Sequence, residues 1–303
     1  MKKKILIKLL KINTKNFEIE KIIKKELNKF IIIISSNKQR HKYINKIHLS
    51  KFSIKLGRNE KKGYKFFLKK KINKFKIPKY KTIISLSKKY ISRIDYINGR
   101  DVNYFDIEAL KYFNKYSIKT KKKINLEQYL DIINDNFKSI YSFDISKELI
   151  IDWSRIIRKF KKEIFISPSH GDFTHKNIIK QKNHYFMIDF EFFSKSRTYL
   201  YDSIHWLITP ILKRTNNFLM RHIDFSFLFM LYLRLFYSLI GYNINKNDLK
   251  INLILYFLEQ KFFYKLPNIL TKEKKLLSKK RIEESKYLSS IFSRQLNFLL
   301  KKR

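Results

Sequence analysis

His170-Gly171-Asp172-Phe173-Thr174-His175-Lys176-Asn177, followed a short way on by Met187-Ile188-Asp189-Phe190-Glu191, is the stretch on which the reading of this chain turns. It concentrates acids, amides and histidines in a protein whose charge is otherwise mostly lysine. Residues 186–188 (Phe-Met-Ile) are apolar and suited to a strand, so Asp189 should emerge at a strand end. With 7 His, 5 Gly and 25 acidic residues in 303, a His-Gly-acid triplet is expected by chance only roughly 0.01 times. Placing the asparagine and second aspartate correctly lowers that by about two more orders of magnitude.

The residue types fit one chemistry well. Phosphoryl transfer needs a carboxylate to take the proton of the attacking hydroxyl, and oxygen ligands to hold Mg²⁺ against the phosphates. Asp172 can be the base, Asn177 a neutral ligand and Asp189 a charged one. In the protein-kinase catalytic loop the base and the amide ligand are separated by four residues, and Asp172 and Asn177 keep that separation. The competing reading of the same residues is an ordinary loop with a capping aspartate and a turn asparagine.

HGDFTHKNII, MIDFE and YDSIHWL together resemble the aminoglycoside phosphotransferase and choline kinase superfamily, and in particular its members often found with surface-polysaccharide genes. The resemblance is sharp over residues 168–206 and looser over residues 30–103. It implies an α+β, bilobal protein-kinase-like fold that uses ATP and Mg²⁺. It assigns Asp172 as catalytic base, His170 as the residue orienting the loop, and Asn177 and Asp189 as metal ligands. Glu191 takes the second acidic place beside the metal, and Asp202 that of a buried aspartate shaping the loop backbone. Lys55, on an expected strand over residues 52–56 (FSIKL), matches the lysine that contacts the phosphates. Ser36, in a phosphate-covering turn over residues 35–40 that lacks glycine, would present an amide or hydroxyl. Backbone groups of Asp95 to Ile97 would meet the adenine. For an acid on the following helix to pair with Lys55, the aligned positions are Gly63 and Tyr64. Glu60 lies about a turn too early.

The rest of the sequence fits this layout. Residues 30–35 and 43–49 read as strands, with 52–56 completing a meander. Residues 59–75 carry apolar residues at helical spacing, and Pro78 ends that helix. Residues 82–86 and 89–94 suit a hairpin. Most of 103–162 reads as helices, 164–190 as a strand–loop–strand unit, and the chain beyond Tyr199 as helical. The expected division is residues 1–97 as a nucleotide-binding lobe and 98–303 as a catalytic and acceptor-binding lobe.

Composition limits the alternatives. The formal net charge is +43, yet lysines are spread along the whole chain alongside abundant Ile, Asn, Phe and Tyr, the mixture an AT-rich coding sequence produces. A dedicated nucleic-acid protein would gather Arg and Lys on one face, so no specific nucleic-acid partner is expected. The acceptor expected is a sugar, a nucleotide-sugar or glycan precursor, an amino alcohol such as choline, or an aminoglycoside, and the positive field suits neutral or anionic ones better than polycations. No cysteine is present, which excludes disulfides, thiolate metal sites and cysteine nucleophiles. The opening MKKKILIKLLKI is interrupted by Lys8 and Lys11 and lacks a small-residue cleavage site, so a cytoplasmic location is expected. The apolar run over residues 225–242 holds Arg234 at its middle. It reads as a buried helix or a surface helix in peripheral membrane contact. His205, beside Trp206, reads as a packing residue. His175 is as consistent with solvent as with substrate, and His184 and His222 lack metal-site spacing. The remaining alternatives are an inactive kinase-like nucleotide-binding protein and, on charge alone, a basic nucleic-acid-binding protein.

Overall fold

The computed structural model describes residues 17–36, 41–141, 145–160, 163–214, 224–269 and 277–301. The N-terminal stretch to residue 16, turn residues 37–40 and His222 lie outside that set. The chain divides into two compact units, Met1–Val102 with Lys176–Phe192, and Asn103–His175 with Phe193–Arg303. The first boundary lies a few residues beyond the expected 97/98. The segment carrying Asn177, Asp189 and Glu191 belongs to the first unit although sequence order places it late.

The first unit is built on strands β1 (Phe17–Lys25), β2 (Lys29–Ser36), β3 (Lys42–His48), β4 (Phe75–Lys76), β5 (Tyr80–Leu86), β6 (Lys89–Asp95) and β7 (Arg100–Asp101). β1-β2-β3-β6-β5 form an antiparallel sheet. Side chains alternate across it. Phe30, Ile32, Ile34, Ile47 and Ile91 gather on one face as an apolar cluster. Lys29, Lys46, His48 and Tyr90 take the other, as the pairs Lys29↔His48 and His48↔Tyr90 require. Helix α1 (Lys51–Leu68) covers that second face so closely that a Cβ added at Gly57 would lie 2.6 Å from the Tyr90 ring and 2.9 Å from His48.

Helix α1 corrects two expectations. The residues expected as a third strand, 52–56, are its first turns, and the helix expected over 59–75 starts earlier and ends at Leu68. The cause is local. The Ser50 side chain accepts from the Ser53 amide while the Ser53 hydroxyl accepts from the Ser50 amide, a reciprocal cap that starts a helix directly after β3. Ser53, Gly57, Glu60, Tyr64 and Phe67 then form one buried face. Over five residues, the alternation of Phe52, Ile54 and Leu56 does not separate a period of two from one of 3.6.

The second unit contains α2 (Ile107–Thr120), β8 (Lys122–Asn125), α3 (Leu126–Asn136), α4 (Ser146–Ile157) and β9 (Glu163–Ser169). In the first unit, β10 (Ile178–Gln181) and β11 (His184–Met187) form a hairpin extended by β7 and β4. The second unit resumes with β12 (Ser194–Thr198), α5 (Tyr201–Arg214), α6 (Ser226–Leu239), α7 (Lys246–Ile269) and α8 (Lys279–Lys301). β12-β9-β8 make a small antiparallel sheet, and Leu253, Leu255 and Phe257 of α7 are fully buried. The apolar run of 225–242 is mostly α6, which buries Phe229, Leu233 and Phe236 and exposes Phe227, Leu231, Leu235 and Leu239. Among the described residues, no helix is long and apolar enough to cross a membrane.

Candidate active-site residues

In the first unit the residues after β11 are held by α1. Asp189 has a left-handed backbone (φ 65°), a conformation aspartate tolerates better than most side chains. Phe190 follows it into the core, stacked on Phe67 at 5.2 Å and edge-on to Tyr64 at 4.8 Å. Asn59 donates to the Glu191 carbonyl at 2.9 Å. One helix therefore fixes two consecutive residues of the MIDFE stretch, Phe190 and Glu191.

The charged centre of this unit is Lys46, on the middle strand of the sheet. Its Nζ lies 2.6 Å from Glu60 Oε1 and 2.8 Å from Asp189 Oδ1, with Glu191 Oε1 at 3.8 Å. Lys29 pairs with Glu191 from the neighbouring strand. Burial alone would lower the Lys46 ammonium, but Asp189, Glu60 and Glu191 reverse that and hold it well above its usual value. Burial pushes Glu60 up to about 7, outweighing the pull of Lys46. His48, buried beside Lys29 and Lys46, is held well below its usual value and stays neutral. Ligand atoms of His48, Glu60 and Glu191 lie within 4.8 Å of one another. The two lysines already meet those carboxylates, so the cluster is an ion-pair network in its own right.

Lys55, expected on a strand, lies instead on α1, where partial burial and Lys51 lower its pKa. The buried strand lysine with acidic partners is Lys46, and the helical acid opposite it is Glu60. Both assignments depended on where α1 begins. Once its start is placed at Ser50, Glu60 falls on the buried face between Gly57 and Tyr64. The sequence also holds a second signal, a lysine at position 46 inside an apolar alternating strand, which has to meet counter-charges if the strand is covered.

Ser36 is buried at the end of β2, and its amide donates to the His41 carbonyl at 2.8 Å. Asp95 ends β6. Its amide donates to Lys79 and that of Tyr96 to Lys42, so those two donors are used within the protein, while the Ile97 carbonyl accepts from Gly99. Asn177 closes a short 3-10 turn ahead of β10, and its carbonyl accepts from Ile188 at 3.0 Å. Asn177 and Asp189 offer the amide and carboxylate oxygens that Mg²⁺ prefers, and the Asp189 side chain keeps 34 % of its surface exposed. That donor set fits the metal. Glu191 is nearly buried and engaged by Lys29.

In the second unit the His170–Asp172 loop is shaped by α5. Asp202, 4 % exposed, accepts from the His170 amide at 2.9 Å and the Gly171 amide at 3.0 Å, one with each carboxylate oxygen. Gly171 sits between them at φ 87°, where a side chain would be strained. His170 is fully buried, and its Nδ1 accepts from the Asp172 amide at 3.3 Å. Phe173 anchors the loop, stacked on Phe113 at 4.2 Å and packed on Trp206 at 5.3 Å. His175 packs near Tyr104 and Trp206. His205 does more than pack, because its Nε2 lies 3.1 Å from Asp172 Oδ1.

No family model matches this sequence, and no curated protein does. Solved structures do. The aminoglycoside phosphotransferase APH(4)-Ia is 9 % identical with a TM-score of 0.52, covering 97 % of each chain. APH(2")-IIia in complex with GDP and kanamycin is 12 % identical with a TM-score of 0.50, over 91 % of this chain and 94 % of that one. An ethanolamine kinase of Plasmodium vivax is 16 % identical with a TM-score of 0.50, over 94 % and 83 %. The chain has the fold of these kinases. Its β-rich N-terminal region and mostly helical C-terminal region are those of the α+β, protein-kinase-like class. Identities this low establish the kinase fold and leave the chemistry to the residues.

Proposed function

We propose that this protein is an ATP-dependent phosphotransferase acting on a hydroxyl of a small molecule. The observation that carries the reading is Lys46, buried on the middle strand and paired with both Glu60 and Asp189. Kinases of this fold need a strand lysine braced by a helical acid, together with a metal-binding aspartate. Lys46, Glu60 and Asp189 supply that trio, with Lys46 replacing Lys55 as the phosphate contact. The presence of Glu60 also removes a motive for reading the chain as an inactive relative.

In this reading Asp172 accepts the proton of the acceptor hydroxyl. The acceptor oxygen forms the new bond to the γ-phosphorus as the bond to the β–γ bridging oxygen breaks, and ADP leaves with that electron pair. Asn177 and Asp189 would hold Mg²⁺, which supplies positive charge against the phosphate oxygens. Lys46 adds a second cation toward the phosphates, and Asp202 and His170 keep the Asp172 loop in one shape. The kinases of matching fold are described with kanamycin or as acting on ethanolamine. For this chain, sugars, glycan precursors and amino alcohols are the acceptor classes we favour.

The test is ADP release from Mg²⁺–ATP across a panel of sugars and amino alcohols. Asp172→Asn is expected to lower turnover by about 10²- to 10⁴-fold, the worth of a general base, while calorimetry still detects nucleotide binding. Equal turnover in wild type and variant overturns the mechanism. Nucleotide binding without turnover on any acceptor would support the inactive alternative.

A further inference from the structure

Asp172 is the first member of a chain of polar groups running from the loop into the interior of the second unit. Its Oδ1 meets His205 Nε2 at 3.1 Å. On the other side of that ring, His205 Nδ1 meets the Tyr256 hydroxyl at 3.1 Å and the Thr209 hydroxyl at 3.2 Å. Those two hydroxyls are 2.8 Å from each other. His205, Thr209 and Tyr256 are all buried. The imidazole lies parallel to the Tyr201 ring and steeply inclined to that of Tyr256, so an aromatic slot fixes its plane.

The carboxylate oxygen at one end, which can only accept, sets the direction of the protons along this chain. Two hydroxyls share two protons. One serves the contact between Thr209 and Tyr256, and the other is available for Nδ1. Nδ1 is then an acceptor, and in the neutral ring the proton sits on Nε2. The opposite tautomer would aim a nitrogen lone pair at the carboxylate oxygen, which is repulsive. Burial also pushes the Tyr256 phenol well above its usual value, so it keeps the proton this arrangement needs.

We infer that His205 is a positioning residue for Asp172. It is held as the Nε2–H tautomer by Tyr256 and Thr209, and donates to Oδ1 so that the carboxylate keeps one orientation. The role rests on the phosphotransferase reading above, in which Asp172 is the base. The geometry gives α5 two tasks one turn apart, with Asp202 fixing the loop backbone and His205 fixing the side chain the loop presents. A ring that merely filled space would not need a hydroxyl pair behind it and a carboxylate in front.

The experiment joins a spectroscopic and a kinetic measurement on the full-length protein. A long-range ¹H–¹⁵N histidine correlation, with the His205 signal assigned by its loss in His205→Phe, is expected to show Nε2–H with Nδ1 unprotonated. Nδ1–H overturns the wiring whatever the activity. With Mg²⁺–ATP and the best acceptor of the panel, His205→Phe is expected to lower kcat by about 10- to 100-fold, the kinetic worth of a hydrogen bond to a charged group. KM for ATP should stay within about 2-fold, since the bond orients the base and not the nucleotide. His205→Gln, which can still donate to Oδ1, should recover most of the loss. If Asp172→Asn is impaired while His205→Phe turns over like wild type, the positioning role falls and the phosphotransferase reading stands. If Asp172→Asn is itself unimpaired, the phosphotransferase reading falls, and the tautomer alone decides the hydrogen bond.

Discussion

The two units satisfy their candidate functional residues in opposite ways. In the first, three carboxylates (Glu60, Asp189 and Glu191) are drawn around two lysines on a covered sheet face, and every member depends on the charge of the others. In the second, the Asp172 loop is held by backbone amides, an imidazole and the hydroxyls behind it. Buried ion pairs are costly to break from one side, because the abandoned charge is stranded. A hydrogen bond loses less and loses it locally. The first unit should therefore fail as a block and the second piece by piece.

The strongest way to break this contrast is Lys46→Met. Removing the ammonium strands Glu60, which is fully buried, and leaves Asp189 and Glu191 to repel it. A cost of about 3–5 kcal/mol in unfolding free energy is expected above neutral pH. The penalty should shrink as pH falls, because Glu60, no longer held down by Lys46, can then take up a proton in place of its lost partner. Urea unfolding at two pH values checks both points. A flat, small penalty would mean that the carboxylates are solvated after all.

Asp202→Asn probes the second unit and should cost less, about 1–3 kcal/mol. The amide has one accepting oxygen where the carboxylate offers two, so either the His170 or the Gly171 amide would face an NH₂ donor. The same variant should lower turnover, since the loop that presents Asp172 loses a fixed point. Stability and turnover both unchanged would show that the loop holds its shape without α5.

How far each unit can be read from sequence follows the same contrast. The second unit's loop is a short, unbroken motif in which rare residue types carry the information, so Asp172 is named by type and spacing, while His170 and Asp202 follow from the family resemblance of HGDFTHKNII and YDSIHWL. The first unit's centre is assembled from β2, β3, α1 and the segment after β11, and its key residue is one lysine among many. The alternation of residues 52–56 mimics a strand and so points to Lys55, whereas the Ser50–Ser53 cap makes the stretch a helix. The same shift is what makes Glu60 fall about a turn too early in the sequence reading. The hairpin at Tyr80–Leu86 and Lys89–Asp95, the strands β2 and β3 and the helical tail were legible because each carries its own periodicity. His205 reads as packing in the sequence because its carboxylate partner lies on a loop 33 residues away. Nothing local to α5 announces the contact.

Glu60→Gln sharpens the electrostatic half of the comparison through pH. Its folded-state value is raised to about 7 from an ordinary value near 4.5, so the folded protein binds this proton more tightly than the unfolded chain does. The contribution to stability is complete below about pH 4.5 and declines as pH rises toward 7. Subtracting the Glu60→Gln unfolding free energy from that of wild type, pH by pH, should give a difference that falls through this window. A difference that rises instead would mean that Lys46 dominates over burial and holds the carboxylate ionised.

The smallest expected effect belongs to Lys55→Met, and it is informative because it is small. Lys55 lies partly buried on α1 beside Lys51, and burial first and the neighbouring cation second already disfavour its charge. Removing that charge should change stability by no more than about 0.5 kcal/mol. It should leave Mg²⁺–ATP affinity as in wild type, whereas a milder probe of the other lysine, Lys46→Arg, should weaken it because a planar guanidinium cannot sit as a point charge between Glu60 and Asp189. Titrating nucleotide into the two variants side by side decides which lysine meets the phosphates. Weakening confined to Lys55→Met would return the role to the helix and remove the strand lysine from the mechanism. Weakening confined to Lys46→Arg ties nucleotide binding to the same buried network that stabilises the first unit.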